Sequence, residues 1–281
     1  MRFKSLSNLS VDIQVKLLPQ LPRDVGVVYG IPRSGMIPAT IIATAIGAKL
    51  GTLGGASYFG SRQKHRLLPA GTKALLVDDS SHTGKAMAAA SAALRRERVD
   101  HYTCAVYAHT DSSSGLDFYA EVLDGGRIFQ WNFTGVKATE RFCWDMDGVI
   151  CTNPTVFDDD GDGYRNHILN EVRPLYLPQV MVKAIVTNRL ERWRSETETW
   201  LRRYGVQYRE LLMQPWPTAA ERRQKSSAEE FKVKHFIDRD GSIFIESHDR
   251  QAETIAALSR RPVLSVESMQ LFGGERVETG L

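Results

Sequence analysis

Asp145 and Asp147 end an apolar run, FCWDMDGVI, at residues 142–150. On a strand, residues i and i+2 project to one face, so both carboxylates enter a single site. Two acids buried together are costly without a cation, and the later sequence supplies what such a site lacks. Thr187 lies in IVTN (185–188) and offers a hydroxyl. Lys225 opens a predicted helix, with Lys232 and Lys234 as competing cations, and Glu246 and Asp249 fall in FIESHD (244–249).

A second constellation occupies the first half. GIPRSG comprises Gly30, Ile31, Pro32, Arg33, Ser34 and Gly35. A glycine at each end is expected to let the backbone approach a ligand, and Arg33 adds a fork suited to phosphate. VDDSSHTGKA (77–86) places Asp78 and Asp79 at a strand end as acceptors for sugar hydroxyls or a metal. Ser80, Ser81, His82, Thr83, Gly84 and Lys85 then turn into a helix whose N-terminus would face an anion. This is not a Walker A loop, because Asp79 stands where that pattern needs its first glycine. Either segment alone is most often a turn or a solvated helix cap. Together they offer two anion cradles with acids between. Residues 57–66 add a basic loop with Arg62, Lys64 and Arg66, and Trp131 or Phe133 in QWNF (130–133) could stack a base or join the core.

The elements that carry these loops follow from hydrophobic patterning. Strands are predicted at 25–29, 74–77, 101–108, 127–133, 141–144, 183–186, 242–245 and 263–266, and helices at 37–50, 85–96, 191–204, 221–236 and 250–258. Strand–helix alternation implies an α/β fold of mostly parallel sheets with helices on both faces and ligands at the carboxyl ends of the strands. The chain has 281 residues, and at about 150 residues per domain this predicts two domains. TGVKATE (134–140) is the expected boundary, dividing 1–138 from 139–281. Trp193, Thr197, Trp200, Leu201 and Tyr204 make a helical core stripe, and Arg189, Arg192, Arg194, Arg202 and Arg203 a solvated face partly paired with Glu196 and Glu198. DDDGDG (158–163) opens like a calcium-binding loop, but Leu169 stands where the bidentate Glu is needed, so an acidic loop without calcium is expected.

With 42% hydrophobic and 25% charged residues, the chain is neither disordered nor collagen-like. A net charge of +3 gives no reason to expect a nucleic-acid partner. No apolar run approaches the roughly 18 residues of a membrane span, and MRFKSLSNLS has no apolar signal core. Cys104, Cys143 and Cys151 are too few and too scattered for a disulfide framework or a zinc site. A cytoplasmic protein without a membrane partner is expected.

Residues 20–135 resemble the type I phosphoribosyltransferases, with VDDSSHTGKA matching the signature for phosphoribosyl diphosphate (PRPP) and GIPRSG the pyrophosphate loop. The resemblance implies that Asp78 and Asp79 hold the ribose hydroxyls, Ser80–Lys85 hold the 5′-phosphate, Gly30–Gly35 hold the pyrophosphate, and Mg²⁺ bridges it. Ser81, His82 and Ala86 depart from the family's pattern. Residues 139–270 resemble the haloacid dehalogenase (HAD) superfamily in the order of its four motifs. That resemblance implies Asp145 as nucleophile, Asp147 as acid and base, and Thr187 and Lys225 on the phosphoryl oxygens. Mg²⁺ would be held by Asp145, Asp147 through its carbonyl, and Glu246 or Asp249, with Ser247 where the family usually has Asp. Only 42 residues run from Asp145 to Thr187, which leaves room for a short cap.

The expectation is therefore a bifunctional enzyme of nucleotide metabolism. It would transfer phosphoribose from PRPP to a base-like acceptor and hydrolyse a phosphomonoester, with Mg²⁺ as cofactor and a homodimer as an open assembly state. Two alternatives stand beside it: a non-catalytic PRPP or nucleotide sensor that regulates the phosphatase, and a phosphatase acting on nucleic-acid ends.

Overall fold

A computed structural model describes residues 1–53, 55–59, 71–154 and 161–273. The basic segment around Arg62, Lys64 and Arg66, and Asp158 and Asp160 of the acidic loop, lie outside the described residues. The chain forms two compact units, Arg2–Trp131 and Asn132–Leu281.

In the first unit the order is β1 (Arg2–Lys4), α1 (Leu6–Asp12), β2 (Val25–Gly30), α2 (Met36–Ile46), β3 (Lys49–Thr52), β4 (Gly55–Phe59), β5 (Lys73–Ser81), α3 (Lys85–Arg96), β6 (His101–Ala108), α4 (Thr110–Ser113), β7 (Phe118–Val122) and β8 (Arg127–Phe129). A six-stranded sheet runs β4-β3-β2-β5-β6-β7, and β1 pairs with β8. All pairs are parallel except β3 with β4. Strand β5 shows why both faces are covered. Leu75 and Val77 join the cluster with Ile42 and Leu9, while Ala74 and Leu76 join Met87 and Leu94 of α3. Alternate residues thus enter two apolar cores, each buried side chain contributing roughly 1.5–3 kcal/mol. The predicted helix at 37–50 stops at Ile46 because Gly47 takes φ 67° and closes its C-terminus, which frees Lys49–Thr52 to become a strand.

In the second unit the order is β9 (Cys143–Trp144), α5 (Asp162–Asn166), β10 (Val182–Leu190), α6 (Arg194–Arg203), β11 (Tyr208–Gln214), α7 (Ala219–Lys225), α8 (Ala228–Asp238), β12 (Phe244–Glu246), α9 (Asp249–Ser259), β13 (Val263–Ser265) and β14 (Gln270–Phe272). Its sheet runs β11-β10-β9-β12-β13-β14, parallel but for β14. Central β9 is short, and Cys143 packs with Ala184, Val186, Phe244 and Phe236. The single helix predicted at 221–236 is two. Ser227 caps α8 by accepting from the Glu230 amide at 3.0 Å, so the chain breaks after Lys225. Among the described residues no helix is long and apolar enough to cross a membrane.

Candidate active sites

In the first unit, strand pairing brings the two loops together. Gly30 is in register with Val77, and the Ile31 amide donates to the Val77 carbonyl at 2.8 Å, so GIPRSG begins beside Asp78. Its glycines are needed for the loop itself to close. A Cβ on Gly30 would lie 2.8 Å from the Gly35 carbonyl oxygen, and one on Gly35 would lie 2.6 Å from that of Ile31. Arg33 is exposed and Ser34 half-buried, and Ile37 donates to the Ser34 carbonyl as α2 starts.

Asp78 and Asp79 are both buried at the end of β5. Burial first, then the hydrogen bond and charge of Asp79, push the Asp78 carboxyl above its ordinary range. Asp78 Oδ1 accepts the Asp79 amide at 2.9 Å, and Asp79 Oδ2 accepts the Trp131 indole N–H at 2.7 Å. Trp131 is half-buried and stacks on Phe129, 4.9 Å between centroids, which stacks on Tyr107 at 5.4 Å. It is the aromatic of QWNF that meets the acids. Phe133 is buried in the second unit against Trp144.

The expected anion turn is shorter than Ser80–Lys85. Ser80 and Ser81 remain in β5, paired with Tyr107 and Ala108 of β6, and the Ser81 carbonyl accepts from the His109 amide. That leaves His82, Thr83 and Gly84 as the turn, with Gly84 at φ 71° and exposed Lys85 opening α3. His82 is exposed and edge-on to His109 at 4.4 Å.

In the second unit, Asp145 and Asp147 follow β9 and line one cavity of about 370 Å³ with Asn188, Arg189, Lys232 and Ser247. The turn that follows them needs Gly148, which has φ 79° and whose Cβ would lie 2.6 Å from Ser247 Cβ. Lys232, on α8 and 2% exposed, donates to Asp145 Oδ2 at 2.8 Å, Glu246 Oε2 at 2.7 Å and Gln251 Oε1 at 3.1 Å. Asp145 Oδ1 accepts the Met146 amide, and Glu246 Oε1 accepts the amide and hydroxyl of Ser247. Burial pushes the Asp145 carboxyl up against the pull of Lys232, aided by the charges of Glu246 and Asp147. Burial would lower the Lys232 ammonium, but Asp145 and Glu246 hold it above its ordinary value.

Three expectations for this site change. Lys225 ends α7, is exposed, and opens on a different cavity with Trp216 and Phe231, so Lys232 is the cation at the carboxylates. Asp249 accepts from the Ser268 hydroxyl at 2.7 Å and does not line the cavity, whereas Glu246 beneath it is fully buried on Lys232. Arg189 is not solvated. It is 2% exposed and binds Asp147, with Nη2 to Oδ1 at 2.6 Å and Nε to Oδ2 at 3.0 Å. It sits beyond the predicted end of the strand at 186, in the stretch of β10 where the register with β11 shifts. Thr187 is fully buried at that strand end, its hydroxyl accepting the Arg189 amide at 3.2 Å.

The donors suit Mg²⁺ in kind and charge. Asp145, Asp147 and Glu246 carry three negative charges against the two positive charges of Lys232 and Arg189, and all their donor atoms are hard oxygens. Among the described residues no three acids form a ready-made metal cage. Bound ion would therefore rest on Asp145, the Asp147 carbonyl and the Glu246–Ser247 turn, completed by water.

Comparison with protein-family models gives no match, and comparison with curated proteins gives none. Among solved structures, the chain is similar to the purine phosphoribosyltransferase of Pyrococcus horikoshii, with 18% identity over 46% of this chain and 92% of that one, at a TM-score of 0.37. The xanthine-guanine-hypoxanthine phosphoribosyltransferase of Helicobacter pylori gives 14% identity over 46% and 94% of the two chains, also at 0.37. The orotate phosphoribosyltransferase of Aeropyrum pernix gives 19% identity over 41% and 71%, at 0.32. At such scores the likeness carries no weight of its own, and the functional reading rests on the two sites.

Proposed function

We propose that the second unit is a Mg²⁺-dependent phosphomonoester hydrolase and that the first unit binds PRPP and transfers its phosphoribosyl group to a base-like acceptor. The observation that carries the hydrolase reading is the convergence of Asp145, Asp147 and Lys232 on one cavity, with buried Glu246 behind them on Lys232. Asp145 attacks phosphorus through a carboxylate oxygen while the phosphorus–ester oxygen bond breaks. Asp147 gives its proton to the departing alkoxide. Water then attacks phosphorus, the bond to Asp145 breaks, and Asp147 takes up the water's proton. Lys232 holds Asp145 in place, and Mg²⁺ when bound offsets the charge of the incoming phosphate.

For the first unit, support comes from two buried acids adjoining a glycine-bounded loop and a helix-opening turn at the carboxyl end of the central strands. The acids suit vicinal hydroxyls and the turn suits a phosphate. Hydrolysis of the 5′-phosphate would draw the reversible transfer forward and yield a nucleoside-like product.

The purified protein with Mg²⁺ should release phosphate from p-nitrophenyl phosphate and from 5′-nucleotides, and Asp145→Asn should abolish both. With PRPP and a panel of bases it should release pyrophosphate. PRPP binding by calorimetry without pyrophosphate from any base would instead identify the first unit as a sensor. Release from end-labelled oligonucleotides but not from nucleotides would identify a nucleic-acid phosphatase.

A further inference from the structure

Arg189 has no part in the reading above, yet it is a buried and multiply bonded cation at the hydrolase site. It sits 2% exposed at the end of β10. Its guanidinium spends donors on three partners: both oxygens of Asp147, the hydroxyl of Thr197 on α6 at 3.3 Å, and Cys151 Sγ at 3.4 Å. A buried guanidinium is tolerated only when paired, and the fork geometry of Arg fixes a carboxylate in plane as Lys cannot.

The two Asp147 oxygens are held unequally. Oδ1 accepts Nη2 at 2.6 Å and Nε at 3.2 Å, with Cys151 Sγ at 3.4 Å. Among the described residues Oδ2 accepts Nε alone, at 3.0 Å and shared with Oδ1. We propose, building on the hydrolase reading, that Arg189 is a positioning residue that anchors Oδ1 of Asp147 and so presents Oδ2 as the oxygen that carries the proton to the leaving group. Thr197 in turn fixes the guanidinium. In the first step the proton moves from Oδ2 to the ester oxygen as its bond to phosphorus breaks. In the second it returns from water to Oδ2.

A positioned proton matters in proportion to the basicity of the leaving group. An alkoxide leaving a 5′-nucleotide needs it, whereas p-nitrophenolate departs largely without help. In Arg189→Lys, first-turnover release of the nucleoside from a 5′-nucleotide should fall roughly 100-fold, the scale of general acid catalysis, while first-turnover release of p-nitrophenolate falls less than about 5-fold, because the later attack of water on phosphorus is common to both substrates. KM should stay unchanged for both, because Arg189 touches Asp147 rather than substrate. Asp147→Ala should show the same split, and the double variant should add little to it. Thr197→Val, a milder change, should move the two substrates apart in the same direction and serves if Arg189→Lys does not fold. Equal first-turnover losses on both substrates would reduce Arg189 to a structural role. A raised KM with unchanged kcat would make it a phosphate ligand, and either result overturns the proposal. A wild-type protein that hydrolyses neither substrate would remove the hydrolase reading itself, and the proposal with it.

Discussion

Lys232 joins two carboxylates that would otherwise repel each other in a buried place. Removing it strands Asp145 and Glu246 with uncompensated charge, a loss of the order of 3–5 kcal/mol for a broken buried pair. Lys232→Ala should therefore lower the urea midpoint markedly as well as abolish phosphate release, whereas Lys225→Ala should leave both nearly unchanged. Parallel urea titrations and phosphatase assays of the two variants would check this. In the first unit the corresponding residue is Trp131, whose N–H holds Asp79. Trp131→Phe keeps the aromatic stack on Phe129 but removes a hydrogen bond to a charged group, worth about 1.5–3 kcal/mol. PRPP affinity measured by calorimetry should weaken about 10-fold or more, with the fold intact by circular dichroism.

Elements set these residues in place through their ends. The break between α7 and α8 depends on Ser227, whose hydroxyl accepts the Glu230 amide. Ser227→Ala should cost about 1 kcal/mol of stability, read from urea unfolding. It should also reduce hydrolysis, because α8 carries Lys232. A Lys at 225 and a Lys at 232 are seven residues apart, nearly two full helical turns. On the uninterrupted helix that periodicity suggests, they would share one face, and no pattern could choose between them. Similarly, β10 runs on to Leu190 rather than ending at 186, which carries Arg189 from a supposed solvated face into the site. The β5 strand likewise extends through Ser81 and shortens the anion turn. Strand ends of this kind are decided by pairing with neighbours, here β6 and β11, which residue patterning along one segment does not contain.

At the scale of the whole molecule, each proposed site is built from one unit alone. The first unit is tied by a buried network in which Asp12 accepts from Lys4 at 2.9 Å and from Tyr107 at 2.9 Å, and pairs with Lys16 at 2.7 Å, while Lys4 and Lys16 also hold Glu121. Burial would raise the Asp12 carboxyl, but the hydrogen bonds from Lys16, Lys4 and Tyr107 outweigh it and hold it below its usual 3.8. A carboxyl lowered by folding contributes stability in full above its unfolded value and loses it as pH falls through the folded one. Thermal stability of the first unit should therefore fall as pH drops below about 4, and Asp12→Asn should flatten that part of the profile while lowering stability at neutral pH.

The sequence by itself determined the α/β class, the placement of Asp145 and Asp147 just past a strand, and the turn at Gly84. These follow from short-range rules: apolar periodicity, the alternation of side chains along a strand, and the freedom of glycine at positive φ. Tertiary structure alone decided that Lys232 and not Lys225 meets the carboxylates, that Glu246 and not Asp249 lies beneath them, that Trp131 binds Asp79, and that Arg189 clamps Asp147. Each of those is a pairing between groups distant in the chain, and a buried charge chooses its partner by which opposite charge the packed sheet and helices bring within hydrogen-bond reach.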